Sequence, residues 1–219
     1  MERRYRLLGQ VRLRLEIMGP EATWIFKERH GLLLALYCVT SMSSLAPRLI
    51  VSEEEFLSLP ESTEKVELLD GDVILSPSPS YRHQCILRQV VRALEDWAAT
   101  QSRDVTVCMA PLDVRLAPGR IIQPDAFVLF ARVLPEHVGP IAEVPALCVE
   151  VMSSNRAYDR MTKRLVYAEA GVAELWTIDA DGAVERWCGE RLSERELPLQ
   201  HLTSVLLPGF QLAIAQLRL

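Results

Sequence analysis

Positive charge is scarce in this chain. Lysine and arginine total 24 against 29 aspartates and glutamates, which leaves a net charge of -5 and a pI near 5.5. That balance argues against holding nucleic acid by non-specific attraction over the whole surface, and leaves local patches as the route. Arg82, Arg88, Arg92, Arg156, Arg160, Lys163 and Arg164 are candidates to gather on one face. Cysteine offers no framework either. Cys38, Cys85, Cys108, Cys148 and Cys188 are scattered, odd in number and free of C-x-x-C spacing, as expected of free thiols in a reducing cytosol. The four histidines are dispersed, so no zinc site can be read from spacing. Internal repeats and low-complexity tracts are absent. The uncharged stretch from Gly31 to Met42 is 12 residues long, too short to cross a bilayer, and too far from Met1 to serve as a signal peptide. No membrane partner is expected.

Residues 1–48 do not read like the rest, and are expected to be a poorly defined N-terminal extension. Met42-Ser43-Ser44-Leu45-Ala46-Pro47 looks like a natural start, with Met18 as the other candidate, so the upstream segment reads as an over-extended gene start. Residues 49–219 read as one α/β domain with a mixed sheet. Ser52-Glu53-Glu54-Glu55 is a capping box before a short helix ending near Pro60. Val66 to Leu75 folds back at Asp70-Gly71 as a hairpin. From Arg82 to Ala99, Ile86, Leu87, Val90, Val91, Leu94 and Trp97 recur at helical steps. Strands follow at 105–109, 113–116, 122–130 and 145–152. A helix then runs to about Ala170, with Gly171 to end it, and a second hairpin turns at Asp181-Gly182. The tail is expected to be a short strand or helix.

The run Pro145-Ala146-Leu147-Cys148-Val149-Glu150-Val151-Met152 reads as a strand buried on both faces with one acid in it. Such a carboxylate is costly unless a cation compensates it. Ile121 to Phe130 reads as a second apolar strand carrying Asp125 directly after Pro124. Lys163 stands four residues after Asp159 on the following helix. A phosphodiester is protected by its own charge and its poor leaving group, and a divalent cation offsets both. Asp125 and Glu150 would supply hard oxygens for Mg²⁺, or Mn²⁺, with the backbone carbonyl of Val151 as a third. Lys163 would assist the attacking water. Without metal, converging acids repel and at least one is expected to take up a proton. Each residue also has a plainer reading. Glu150 would be an acid satisfied by arginine or backbone donors, and Asp125 a turn residue. Asp159 with Lys163 would be an exposed ion pair, Glu67 a solvated strand position, and His83 a first-turn polar group.

Val66-Glu67-Leu68-Leu69-Asp70-Gly71-Asp72-Val73, Ser76-Pro77-Ser78-Pro79 with Arg82-His83, Gln123-Pro124-Asp125 and Val149-Glu150-Val151-Met152-Ser153-Ser154 follow in order. Asp159 with Lys163 and Tyr167-Ala168-Glu169-Ala170-Gly171-Val172 to Glu174-Leu175-Trp176 complete the series. This ordered series, over roughly residues 50 to 215, resembles the Uma-two family of restriction endonucleases in the PD-(D/E)xK nuclease superfamily. The resemblance implies a restriction-endonuclease-like mixed β-sheet flanked by helices, a divalent metal, DNA as the nucleic-acid partner, and a homodimer. It makes Asp125 and Glu150 the motif acids. Met152 stands where many superfamily members have lysine, so Lys163 takes that role. The resemblance makes Glu67 a further acid acting through a metal-bound water, with His83 and Asp159 in support. Three functions follow. The first is a Mg²⁺-dependent endonuclease, the second a non-catalytic nuclease-fold protein for DNA binding or dimerisation, and the third a hydrolase of nucleotides or RNA ends. The complete set of acids favours the first.

Overall fold

The structure, a computed structural model, describes residues 50–60, 64–152 and 157–218, with the backbone alone at 157–161, and the backbones of three strands within 12–37. Two compact units divide the chain, 1–62 and 63–219. The first holds an antiparallel sheet of β1 (Arg12–Met18), β2 (Glu21–Lys27) and β3 (Ala35–Tyr37), and the short helix α1 (Glu53–Leu57). The capping box at its start is formed. Ser52 Oγ accepts from the Glu55 amide at 3.2 Å, and the Glu55 carboxylate accepts from the Ser52 amide at 2.8 Å.

The second unit opens with the hairpin of β4 (Lys65–Leu69) and β5 (Asp72–Ser76). Asp70 at φ 51 and Gly71 at φ 90 supply the two positive dihedrals that a tight two-residue turn demands. Helix α2 (Tyr81–Ala98) is capped by Ser80 and buries seven residues along one stripe, from Cys85 to Trp97. The chain continues through β6 (Thr106–Met109), β7 (Val114–Ala117), β8 (Arg120–Ile122), β9 (Ala126–Leu129) and β10 (Leu147–Val151). Helix α3 (Ala157–Ala170), β11 (Glu174–Ile178), β12 (Val184–Cys188), β13 (Glu194–Glu196), β14 (His201–Thr203) and β15 (Gln211–Ala213) complete it. The tail is therefore β14 paired with β15 and followed by a short 3-10 turn (Ile214–Gln216), rather than one element.

Two sheets matter. The larger runs β13-β12-β11-β10-β9-β6, with β10 and β11 parallel and the other neighbours antiparallel. Parallel neighbours need a crossover, and α3 supplies it. The smaller sheet runs β5-β4-β8-β7. Side chains alternate across β9 and β10. Ala126, Val128, Leu147, Val149 and Val151 join α2 and the C-terminal hairpin in one core. Phe127, Leu129 and Cys148 join α3 and β7 in the other. Glu150 shares the face of Cys148, and so is aimed at α3.

The stretch 121–130 is not one strand. It divides into β8 in the small sheet and β9 in the large one, with Gln123-Pro124-Asp125 between them. Proline has no amide hydrogen to give a central ladder, so the chain leaves one sheet at Pro124 and enters the other one residue after Asp125. The helix caps expected at Ser153, Ser154 and Asn155 lie outside the described residues.

Candidate active site

Where β9 and β10 begin to part, Asp125 replaces a rung of the ladder. Backbone pairing ends at Val149 with Ala126, and beyond it the Val151 amide donates to Asp125 Oδ2 at 2.8 Å. The same oxygen accepts from His83 Nε2 at 3.0 Å. An ionised carboxylate only accepts, so the His83 ring carries its hydrogen on Nε2. His83 Nδ1 is buried and has no hydrogen-bond partner among the described residues. Asp125 Oδ1 accepts from Lys65 Nζ at 3.0 Å.

Glu150 is buried, and its Oε1 accepts from Lys163 Nζ at 2.9 Å and from the Tyr167 hydroxyl at 2.5 Å. Its Oε2 faces Lys65 Nζ at 3.7 Å. Glu67 Oε1 accepts from the Gln123 amide at 2.9 Å and from Lys163 Nζ at 3.2 Å. Gln123 Nε2 in turn donates to Asp113 Oδ1 at 2.8 Å, fixing the crossing segment to β7's start. Asp125 and Glu150 line a groove of about 480 Å³ walled by Ser76 and the Pro77–Ser80 loop, Met152 and Ala180. A second groove of about 440 Å³ shares Gln84 with it and follows the exposed side of α2 past Arg88 and Arg92.

Charge separates the two motif acids. For Asp125, burial opposes ionisation, but the His83 hydrogen bond and then the charges of Lys65, His83 and Lys163 hold the carboxyl below its ordinary range. For Glu150, burial dominates and pushes the carboxyl up, with Lys163 and Lys65 opposing and Asp125 and Glu67 adding to the rise. Glu150 is thus the acid driven toward a proton. Lys163 is half-buried. Burial disfavours its ammonium, yet Glu150, Glu67 and Asp125 outweigh that and raise it above the ordinary lysine value. Burial and the nearby Glu150 charge push the Tyr167 phenol well up, so it remains a donor.

The structure brings together Asp125, Glu150, Lys163, Glu67 and His83, five of the six side chains that the sequence singled out. Glu67 is 2% exposed, so it is not a solvated strand position. Lys163 turns to Glu150 and Glu67. The Asp159 side chain lies outside the described residues, as do those of Arg156 and Arg160. Arg164 points elsewhere, donating to the Leu192 carbonyl at 3.0 Å and covering the Trp187 ring. Sequence reasoning missed Lys65 and the role of Tyr167. Both carried a signal: Lys65 stands two residues before Glu67 on the same strand face, and Tyr167 four after Lys163 on the same helix face. A third signal is scarcity. The chain has three lysines, Lys27, Lys65 and Lys163, and two of them meet these acids.

Among the described residues no cluster of three or more His, Cys, Asp or Glu is arranged as a ready metal cage. The acid oxygens are turned to ammonium groups instead. The donor set nonetheless fits a hard divalent cation. Asp125 Oδ1 and Glu150 Oε2 face one cation already, the Lys65 ammonium, and Mg²⁺ commonly takes one or two carboxylates and keeps its waters.

The fold is a nuclease-like α/β fold of mixed sheets flanked by few helices. The Uma2 family model, "Putative restriction endonuclease", matches residues 53–215. The chain belongs to that family. A solved structure from Anabaena variabilis ATCC 29413, described as a "putative nuclease belonging to DUF820", is similar at a TM-score of 0.62 and 22% identity, covering 76% of this chain and 97% of that one. Among curated proteins, none matches the sequence. Among the described residues no helix is long and apolar enough to cross a membrane.

Proposed function

We propose that this protein is a metal-dependent endonuclease that hydrolyses phosphodiester bonds of DNA, with Mg²⁺ or Mn²⁺ as cofactor. One observation carries the reading: Asp125, directly before β9, and Glu150, on the neighbouring β10, converge with Lys163 from the crossover helix in one groove. Asp125 and Glu150 would hold the cation, with the Val151 carbonyl beside them. Once bound, the cation neutralises phosphate oxygens and acidifies water. Lys163, held by Glu150 and Glu67, aims its remaining donor capacity at the attacking water and the charge that develops on phosphorus oxygens. Glu67 fixes Lys163 from behind and would act on the metal through a bound water. His83 keeps Asp125 ionised and oriented. Arg88 and Arg92, exposed and one helical turn apart on the adjoining groove, supply backbone-binding charge beside the acids. Asp159 belongs to the same helix and takes a supporting role, and the active form is a homodimer.

The second reading, a non-catalytic protein with a nuclease fold, draws on Lys65 and Lys163 neutralising the acids without any metal. Cleavage of plasmid and oligonucleotide DNA with Mg²⁺ or Mn²⁺, run beside Glu150→Ala, separates the two. The expected result is metal-dependent cutting lost by at least a hundredfold in the variant, in the range expected for a group at the reacting centre (about 10²–10³-fold). Equal cutting by both would expose a contaminant. No cutting by either, with DNA still bound, would favour the second reading.

A further inference from the structure

Lys65 and Lys163 hold different places among the acids. Lys163 meets Glu150 Oε1 and Glu67 Oε1, sharing the former with Tyr167. Lys65 lies on the other side, with Nζ 3.0 Å from Asp125 Oδ1, 3.7 Å from Glu150 Oε2 and 3.9 Å from Glu67 Oε1. Asp125 Oδ2 is taken by His83 and the Val151 amide, and Glu150 Oε1 by Lys163 and Tyr167. The two oxygens that remain for a cation are Asp125 Oδ1 and Glu150 Oε2. The Lys65 ammonium stands between them.

We propose that Lys65 is a built-in placeholder for the divalent cation: its ammonium occupies the metal position in the metal-free protein, and an entering ion must displace it. The inference rests on the metal-dependent reading above and adds how that site is regulated. Facing carboxylates with nothing between them would repel and destabilise the metal-free fold, and one ammonium offsets this. Exchanging one ammonium for a dication adds a further positive charge among these three acids. The residue type suits the task. Wherever else the chain needs a cation it uses arginine almost without exception, 21 arginines to three lysines. A guanidinium would pair bidentately with a carboxylate and stay, whereas an ammonium is a compact charge on a flexible stem. The side chain of Lys65 is 19% exposed and lines the groove, so it has a way out that disturbs no packed core. Once displaced, its charge lies in the groove that would take the phosphate, so that metal entry and phosphate binding reinforce one another.

Two measurements on the full chain without nucleic acid test this. The first is calorimetric titration of Mn²⁺ and of Mg²⁺ into the wild type and Lys65→Met, with circular dichroism confirming the variant's fold. If the ammonium fills the site in about nine molecules of ten, the wild type binds metal about tenfold more weakly than the variant. The second uses only the wild type: acetic anhydride labelling read by mass spectrometry, with and without Mn²⁺. Lys65 should gain reactivity with metal while Lys163 does not. Metal binding by the wild type that is no weaker than in Lys65→Met, or Lys65 labelling that metal leaves unchanged or lowers, overturns the placeholder and leaves the metal-dependent reading standing. Absence of metal binding in both proteins overturns the two together.

Discussion

Tyr167 donates its hydroxyl to Glu150 Oε1 at 2.5 Å, and Lys163, one turn earlier on α3, meets the same oxygen at 2.9 Å. Two donors from one helix face thus hold one carboxylate oxygen of the central strand. The other oxygen is left facing the groove. The crossover helix therefore decides which side of Glu150 is available for chemistry.

Removing the hydroxyl tests this division. In Tyr167→Phe the Glu150 carboxylate keeps Lys163 but loses a neutral donor in a buried place, at a cost of about 1.5–3 kcal/mol. Urea denaturation in EDTA should show that loss. Cleavage should fall about tenfold or more, since the freed oxygen lets the carboxylate turn. An unchanged urea midpoint would mean that the short contact carries no weight.

Another buried acid, whose partners lie outside the groove, gives a pH signature. Glu174 on β11 accepts from Trp176 Nε1 at 2.6 Å and from Ser204 Oγ at 2.8 Å. Burial pushes its carboxyl above the ordinary 4.5, against the hydrogen bonds of Trp176 and Ser204 and the charge of Arg186. A raised acid binds its proton more tightly folded than unfolded. Its contribution to stability is therefore greatest at low pH and declines as pH rises from about 4.5 through the folded value. Glu174→Gln should lack that decline, so its urea midpoints should fall less than those of the wild type between these limits. Parallel profiles for the two proteins would refute the assignment.

Turn geometry supplies a third. Gly182 lies at φ +81 between β11 and β12, and a Cβ there would stand 2.6 Å from the Leu217 carbonyl oxygen. Gly119, at φ +73, has nothing within 4 Å. Alanine at 119 carries only the left-handed strain of about 1–2 kcal/mol. At 182 it must also move backbone. Gly182→Ala should therefore melt lower than Gly119→Ala, and by several degrees below the wild type. Equal melting points for the two variants would sink the close approach.

Much of this architecture could be read from the chain because its local signals agree with its tertiary fate. The stripe from Ile86 to Trp97, the Asp-Gly turns at 70–71 and 181–182, and the unbroken apolar run around Glu150 each demanded one structure and have it. The site was legible where an acid sat at odds with its surroundings, as Glu150 and Asp125 do. Lys65 was not, because a lysine at the start of a strand looks like any solvated end, and only the folding of β4 onto the acids gives it partners. Tyr167 entered only as one residue of the run from 167 to 172, and nothing in that run tells what its hydroxyl meets. The break at Pro124 was misread as a continuous strand because the apolar residues on both sides belong to two different sheets.

That break has a consequence for how the gene can vary in length. Gln123 and Asp125 are tied to Glu67 on β4, His83 on α2, Val151 on β10 and Asp113 just before β7. Adding or deleting one residue between Ile122 and Ala126 would shift β9 by half its side-chain period and turn Asp125 away from the groove. The three-residue passage between the sheets is thus fixed in length. Among the described residues the Pro77–Ser80 loop on the groove's rim has no such side-chain ties beyond the Ser80 cap, and is where insertions can accumulate and reshape what the groove admits.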